Sequence, residues 1–289
     1  MKKKIVLYDR FDPVSFANME SHEENVWTNA PDDPDACVVF NGTIGSHRNL
    51  PTSLIMTEPY DVILALTRVG GKKFFYDMCE SEDFPFNHVF SYDSDLVKHR
   101  PDRVKKIFPG TPTWIPESDR KIHDKTKNVS MITSRKNFAS GHSVRVGIAD
   151  FLSQSGLIDL YGKDYGVPVE TKTEALADYR FSVVVENEVI NGWHTEKILD
   201  CFMTGTVPIY YGDPEIGSLY DTHGIISLVD FFGSPDPHQW NLDKFELLNE
   251  EMYMSMMGSV KSNLEMAIEL NPKYHLRTII DQICEESFS

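Results

Sequence analysis

The chain is short of several things, and each shortage closes off a class of protein. It has four cysteines in 289 residues, Cys37, Cys79, Cys201 and Cys284. They lie far apart and fit no metal-ligand spacing, and Cys37 and Cys201 sit in apolar segments where a small hydrophobe serves. Reduced thiols are expected, not a disulfide framework or a zinc site. No hydrophobic run approaches the length of a membrane span. The opening MKKKIVLYDRFD has a basic end but only Ile5, Val6 and Leu7 before Tyr8 and Asp9, too little for a signal peptide, so a soluble cytoplasmic protein is expected. Basic residues are scarce: 28 Lys and Arg against 44 Asp and Glu leave a formal net charge of −16. That balance disfavours nucleic acid and anionic membranes as partners, because both are polyanions. An anionic ligand must then be met by local positive charge. No G-x-G-x-x-G follows a predicted strand, which disfavours an oxidoreductase on a dinucleotide fold. Internal repeats and low-complexity segments are also lacking.

What is present is an ordinary globular composition, 41% apolar and 25% charged, long enough for one large domain or two modest ones. In the first third, short apolar runs predict strands at 5–8, 37–40, 53–56 and 88–91, with RVGGKKFFYDMCESEDFP as a loop and short helix. The stretch PGTPTWIPESDRKIHDKTK is rich in Pro, Thr and charge, has neither hydrophobic period, and reads as an interdomain linker. The alternation then restarts, with strands at 129–133 and 158–161, helices at 142–153 and 174–179, and a strand at 225–229. From Leu242 onward the apolar spacing is helical. Two α/β domains are expected, residues 1–115 and 116–289, the second ending in helices.

The most informative stretch is FSVVVENEVINGWHTEKILDCFMTGTVPIYYGDPEIG, from Phe181 to Gly217. Val183, Val184 and Val185 form a short apolar run, the pattern of a strand buried on both faces. Ile198, Leu199, Phe202 and Met203 then recur at helical spacing, Thr195 can cap the first turn, and Gly205 stands where a left-handed stop is wanted. TVPIYYG returns as a strand. Strand, loop, helix and parallel strand make a crossover unit, and ligands of such sheets collect at the carboxyl ends of the strands. Asn187 to Lys197 should therefore meet the ligand. A helix N-terminus with Lys197 in its first turn suits a phosphate, the Glu196 carboxylate can accept from both hydroxyls of a ribose, and Trp193 can stack on a ring. Singly, each residue fits a structural role as well: dipole complement, solvated lysine, core tryptophan. Together they point to a phosphorylated ligand.

The segment resembles the donor-binding signature of the α-1,3-fucosyltransferases of glycosyltransferase family 10. That signature is F-x-x-x-x-E-N-S, a loop, D-Y-[IV]-T-E-K, a helix and G-T-V-P-[IV]-x-x-G. Phe181, Glu186, Asn187, Thr195, Glu196, Lys197, Gly205, Thr206, Val207, Pro208 and Gly212 stand in matching places. The chain departs from it at Glu188, Gly192, Trp193 and His194, positions near the sugar in the family. PDACVVFNG, SLIMTEPYDV, FSYDSDLVKHRPD, MITSRKNFASGHSVRV and DLYGKDYG resemble further family motifs, in the family's order.

The resemblance implies a GT-B fold, two Rossmann-like α/β domains facing across a cleft, with acceptor side first and nucleotide-sugar side second. It implies an inverting transfer of fucose from GDP-fucose to a glycan hydroxyl, without a metal cofactor. Donor-binding positions carried over are Ser134, Arg145, Gly162, Glu186, Asn187, Trp193, Thr195, Glu196 and Lys197. Arg145 is the planar fork suited to a diphosphate, or else a surface helix arginine. Arg135, Lys136 and Lys163 are further cations near those motifs. The family's base is a glutamate of the first domain, and Glu58, in T-E-P, has matching surroundings; it also fits a plain turn before Pro59, and Glu20, His22 and Glu23 are held in reserve. Asp93 and Asp95 form a D-x-D, which many metal-dependent glycosyltransferases use for manganese. Here Ser91 and Tyr92 precede it as in the metal-independent motif, so a turn-capping or domain-interface role is preferred. Another nucleotide sugar as donor, or an inactive sugar-nucleotide or glycan-binding module, are the alternatives.

Overall fold

In a computed structural model the chain divides into two compact units, residues 1–110 with 273–289, and residues 111–272. The structure describes residues 3–8, 25–28, 36–40, 52–56, 58–67, 70–109 and 111–288. Glu20, His22 and Glu23 lie outside the described residues.

The first unit carries strands β1 (Lys3–Tyr8), β2 (Asn25–Thr28), β3 (Ala36–Phe40) and β4 (Thr52–Ile55). Helices α1 (Tyr60–Thr67) and α2 (Lys72–Glu80) follow, then β5 (Val89–Ser91), α3 (Ser94–His99) and β6 (Val104–Lys106). All pairings are parallel, in the order β2-β1-β3-β4-β5-β6. The sequence pattern foretold four of these strands. It missed β2 and β6, which are too short and too polar to show a period.

The second unit runs β7 (Lys127–Ile132), α4 (Ser140–Leu152), β8 (Asp159–Tyr161), β9 (Tyr179–Val185), α5 (Glu196–Thr204), β10 (Val207–Tyr211), β11 (Ile226–Ser227) and α6 (Leu228–Phe232). Helices α7 (Glu250–Ser255) and α8 (Met257–Leu270) complete it, and α9 (Leu276–Phe288) groups with the first unit. The sheet is again parallel, ordered β11-β10-β9-β7-β8. Every residue of β9 is buried, as the valine run requires. Its Phe181, Val183 and Val185 join Val129, Met131, Val207 and Ile209 in a core closed by Ile148, Ala149 and Leu152 of α4 and by Phe232, Trp240 and Phe245.

Two local expectations fail for identifiable reasons. Residues 174–179 do not form a helix: a 3-10 turn at Lys172–Ala175, held by a capping box between Thr171 and Glu174, leads into β9 at Tyr179. The strand expected at 225–229 stops after Ser227, whose hydroxyl accepts from the Asp230 N–H and starts α6; Gly233, at φ 89°, ends that helix. Capping chemistry outweighs short apolar runs in both places.

In the order β11-β10-β9-β7-β8 the chain leaves β7 toward β8 on one side and β9 on the other. That reversal makes the carboxyl ends of β7 and β9 a switch point, the place where open parallel sheets bind ligands. The segment entering α4 and the loop entering α5 form its two lips.

Candidate active site

The two lips touch through backbone. The Gly141 N–H at the start of α4 donates to the Asn187 carbonyl at 2.9 Å, and a Cβ on Gly141 would lie 2.0 Å from the Glu186 carbonyl oxygen. Only glycine permits that approach. Gly162, at φ 144°, serves a similar purpose one strand over: a Cβ there would lie 1.9 Å from the Thr133 carbonyl oxygen. The close approach at Gly162 is thus made to the end of β7. Ser134, the next residue, is half-buried, and its carbonyl accepts from the Thr133 hydroxyl at 3.3 Å.

The tip of α5 is built as the sequence implied. Thr195 is extended, at φ −126°, and its hydroxyl accepts from the Lys197 N–H; Gly205, at φ 69°, closes the far end. A Cβ on Gly205 would come within 2.9 Å of the Ile122 Cα, so packing as well as φ demands glycine. The tip already holds an anion of the chain's own. Glu186, fully buried, accepts from the Thr195 N–H at 2.8 Å, from the Thr195 hydroxyl at 2.9 Å and from the Lys197 ammonium at 3.1 Å. The Lys197 ammonium also donates to the Thr195 hydroxyl at 2.9 Å, so two of its three N–H groups are engaged.

Arg145, on α4, is a buried cation with a donor unused. It is 6% exposed, its Nη1 donates to the Asn187 Oδ1 at 3.1 Å, and its Nε is buried with no partner among the described residues. No ion pair to Arg145 occurs among the described residues either. Burial works against the guanidinium, with only Glu186, Tyr165 and Glu196 favouring it from a distance. A buried guanidinium lacking an adjacent carboxylate is costly unless an anion completes it. His142, beside it and 2% exposed, is pushed down to about 4 by burial and by the Arg145 charge, so it stays neutral near pH 7 and adds no further charge.

Glu196 points the other way round the helix, toward Lys172. The Lys172 ammonium lies 3.3 Å from Glu196 Oε1 and 2.6 Å from Asp200 Oδ2, one turn further along α5. Burial opposes ionisation of Glu196, but the charges of Lys197 and Lys172 and a hydrogen bond from Lys172 outweigh it and hold the carboxyl below its usual range. Burial likewise works against the Lys172 ammonium, and Asp200 with Glu196 prevails, so the cation is held above its ordinary value. Trp193 is 1% exposed and belongs to the packed interior, with no ring face open to solvent. Its neighbour His194, equally buried, sets Nδ1 3.0 Å from Asp213 Oδ2, and Asp213 also accepts from the Gly192 N–H at 2.7 Å. This pair fixes the loop at the very positions where the chain departs from the family signature.

The remaining cations are placed differently. Arg135 pairs with Asp150 at 2.8 Å and lies over the Tyr165 ring, while Lys136 and Lys163 are exposed. At the foot of α5, the Lys125 ammonium donates to the carbonyls of Thr204, Ala177 and Leu176 at 2.8, 2.9 and 3.2 Å, and to the Thr206 hydroxyl at 3.0 Å.

In the first unit, Glu58 is half-buried in the loop leaving the carboxyl end of β4, and its carbonyl accepts from the Tyr92 hydroxyl at 2.8 Å. Asp93 is fully buried and caps α3. It accepts from the N–H groups of Asp95 and Leu96 at 2.9 and 3.2 Å, and from the Tyr60 and Tyr76 hydroxyls at 2.7 and 3.2 Å. The carboxylate is spent on the fold. Among the described residues no group of three or more His, Cys, Asp or Glu could hold a metal ion, and no helix is long and apolar enough to cross a membrane.

Two α/β units with parallel sheets, the second with Arg145 and Lys197 near its switch point, fit the GT-B fold class. Solved α1,3-fucosyltransferases share the fold. One with GDP superimposes with a TM-score of 0.59 at 16% identity, covering 95% of this chain and 92% of that one. Another, with GDP-fucose, gives 0.58 at 15% identity over the same shares. The family model described as "Glycosyltransferase family 10 (fucosyltransferase) C-term" matches residues 122–273, and the chain belongs to that family. A Helicobacter pylori alpha-(1,3)-fucosyltransferase is 35% identical over 66 residues, 23% of this chain but only 14% of that relative's length.

Several site residues had no signal in the sequence: Lys172, Asp200, His142 and Asp213. Lys172 comes from a 3-10 turn and Asp213 from a loop, neither with a period, and Asp200 and His142 look like ordinary helix positions. Each gains its meaning from a partner tens of residues away.

Proposed function

We propose that the protein is an inverting, metal-independent fucosyltransferase that moves fucose from GDP-fucose to a hydroxyl of a glycan. One observation carries the reading: Arg145 is a buried guanidinium at the sheet's switch point whose Nε has no partner and which makes no ion pair among the described residues. A diphosphate supplies the missing anion, and the planar fork suits it. Lys197 gives a second positive charge beside the same loop. Glu196, kept ionised, accepts from the two ribose hydroxyls. The solved α1,3-fucosyltransferase with GDP-fucose, which shares this fold, supports that nucleotide sugar as donor.

In the proposed reaction the acceptor oxygen attacks the anomeric carbon as the carbon–oxygen bond to the diphosphate breaks. The bonding pair leaves with GDP, where Arg145 and Lys197 neutralise the developing charge. The acceptor proton passes to the Glu58 carboxylate, the proposed base. A single displacement inverts the anomeric centre.

The test is a panel of nucleotide sugars with and without glycan acceptors, read by nucleotide release. GDP-fucose should give the largest acceptor-dependent rate. Other nucleotide sugars belong in the panel because Gly192, Trp193 and His194 differ from the usual loop. Glu58→Gln should lower turnover by about a hundredfold or more while GDP affinity stays within about twofold. Turnover equal to the native rate would remove Glu58 from the chemistry, and no turnover with any donor would leave a binding module.

A further inference from the structure

Trp114 is an anomaly of placement. Its indole is 66% exposed, the greatest exposure of any large apolar side chain among the described residues, yet its backbone is tightly held. The Trp114 N–H donates to Asp200 Oδ1 at 2.8 Å, and the preceding Thr113 hydroxyl donates to the same oxygen at 2.6 Å. The Thr113 N–H donates to Asn271 Oδ1 at 3.0 Å, and Ile115 on the other side is fully buried. A mobile surface segment would not spend a buried carboxylate and a buried amide on fixing it.

The ring has one face engaged. The Lys172 ammonium sits 4.3 Å from its centroid, a cation–π contact that fixes the indole plane, while the exposure leaves the outer face to solvent. That same ammonium lies 3.3 Å from Glu196 Oε1. One charged group therefore joins an aromatic platform to the carboxylate proposed for the ribose. On α5, Lys197 turns toward Glu186 and the Arg145 side, and Glu196 turns toward Lys172 and Trp114. A nucleoside diphosphate has the same sequence of parts: diphosphate, ribose, base. With its phosphates at Arg145 and its ribose diol on Glu196, the base would come next on the side of α5 that carries Lys172, the ammonium over Trp114.

We infer that Trp114 is the stacking surface for the nucleobase of the donor, with Lys172 as the positioning residue that fixes both the indole and Glu196. The inference rests on the donor reading above and goes beyond it, naming the group that recognises the base end. Stacking of a base on an aromatic side chain is a common recognition device and needs no hydrogen-bond partner.

The experiment is calorimetry with GDP, and competition by inorganic pyrophosphate, on native protein, Trp114→Ala, Trp114→Phe and Arg145→Met, with thermal unfolding of each as a check on folding. Trp114→Ala should weaken GDP about tenfold or more and leave pyrophosphate unchanged; Trp114→Phe should keep most of the GDP affinity. In turnover, the donor KM should rise with little change in kcat. GDP affinity unchanged in Trp114→Ala but lost in Arg145→Met would overturn the inference and keep the donor reading. A rise confined to the acceptor KM would overturn it in favour of a sugar-stacking role. No GDP binding by the native protein would overturn both.

Discussion

Asp93 and Glu186 hold comparable posts in the two units, and the contrast between them separates architecture from binding. Each is a fully buried carboxylate that follows a parallel strand and secures the first turn of the next helix. Around Asp93 the donors are two backbone N–H groups and two tyrosine hydroxyls, with Lys72 no nearer than 3.8 Å. The account there closes within the unit. Around Glu186 the chain has placed more positive charge than the carboxylate uses: Lys197 pairs with it, and Arg145 stands close by with a donor to spare. A surplus of buried donors at a switch point is what a ligand-binding end needs and a structural knot lacks.

The largest effect that tests this contrast is in the first unit. Asp93→Ala should cost about 3 kcal/mol or more in denaturant unfolding, because two helix N–H groups and two buried hydroxyls lose their acceptor together. GDP affinity should not change; a parallel loss would mean that the knot serves the ligand as well. Arg145→Met should do the reverse. Removing charge-assisted bonds to a diphosphate should weaken GDP by about thirtyfold or more in calorimetry, equivalent to about 2 kcal/mol. The melting temperature should hold or rise, since a buried guanidinium without its anion is a strain on the free protein. A variant that melts early and still binds GDP would erase the distinction.

The smallest effect is in pH. His142 is held near 4 in the fold against its ordinary 6.5, so as pH falls below 6.5 the unfolded chain takes up the proton first and native stability declines toward pH 4. About 1 kcal/mol should be lost by pH 5.5. His142→Asn should flatten that part of the stability profile, and an unaltered profile would assign the acid loss to other groups.

The comparison also marks how far the sequence could be read. The crossover unit was legible because its signals are local: three valines, a threonine cap, a glycine stop and helical spacing between them. The family signature then carried the fold class. What escaped was every feature created by distant partners. Lys172 reaches α5 from a 3-10 turn, and the six residues 174–179 that begin within it are too few for their spacing to tell a turn from a helix. Trp114 lay in a stretch whose composition said only linker. The sequence places a ligand's phosphates at the α5 tip beside Lys197 and gives no sign that Glu186 accepts there from the Thr195 N–H and the Lys197 ammonium; no local pattern tells which carboxylate will fold back onto a helix start.

Lys125 alters what kind of element α5 is. An isolated helix frays at its last turn because its carbonyls have no partners. Here a residue from the chain's approach to the second sheet reaches across to the Thr204 carbonyl and ties it to the carbonyls of Leu176 and Ala177. With Glu186 clasping the other end, α5 is a strut pinned at both bearings. Whatever docks against its side meets a surface already in its final shape, so little ordering entropy remains to be lost on binding.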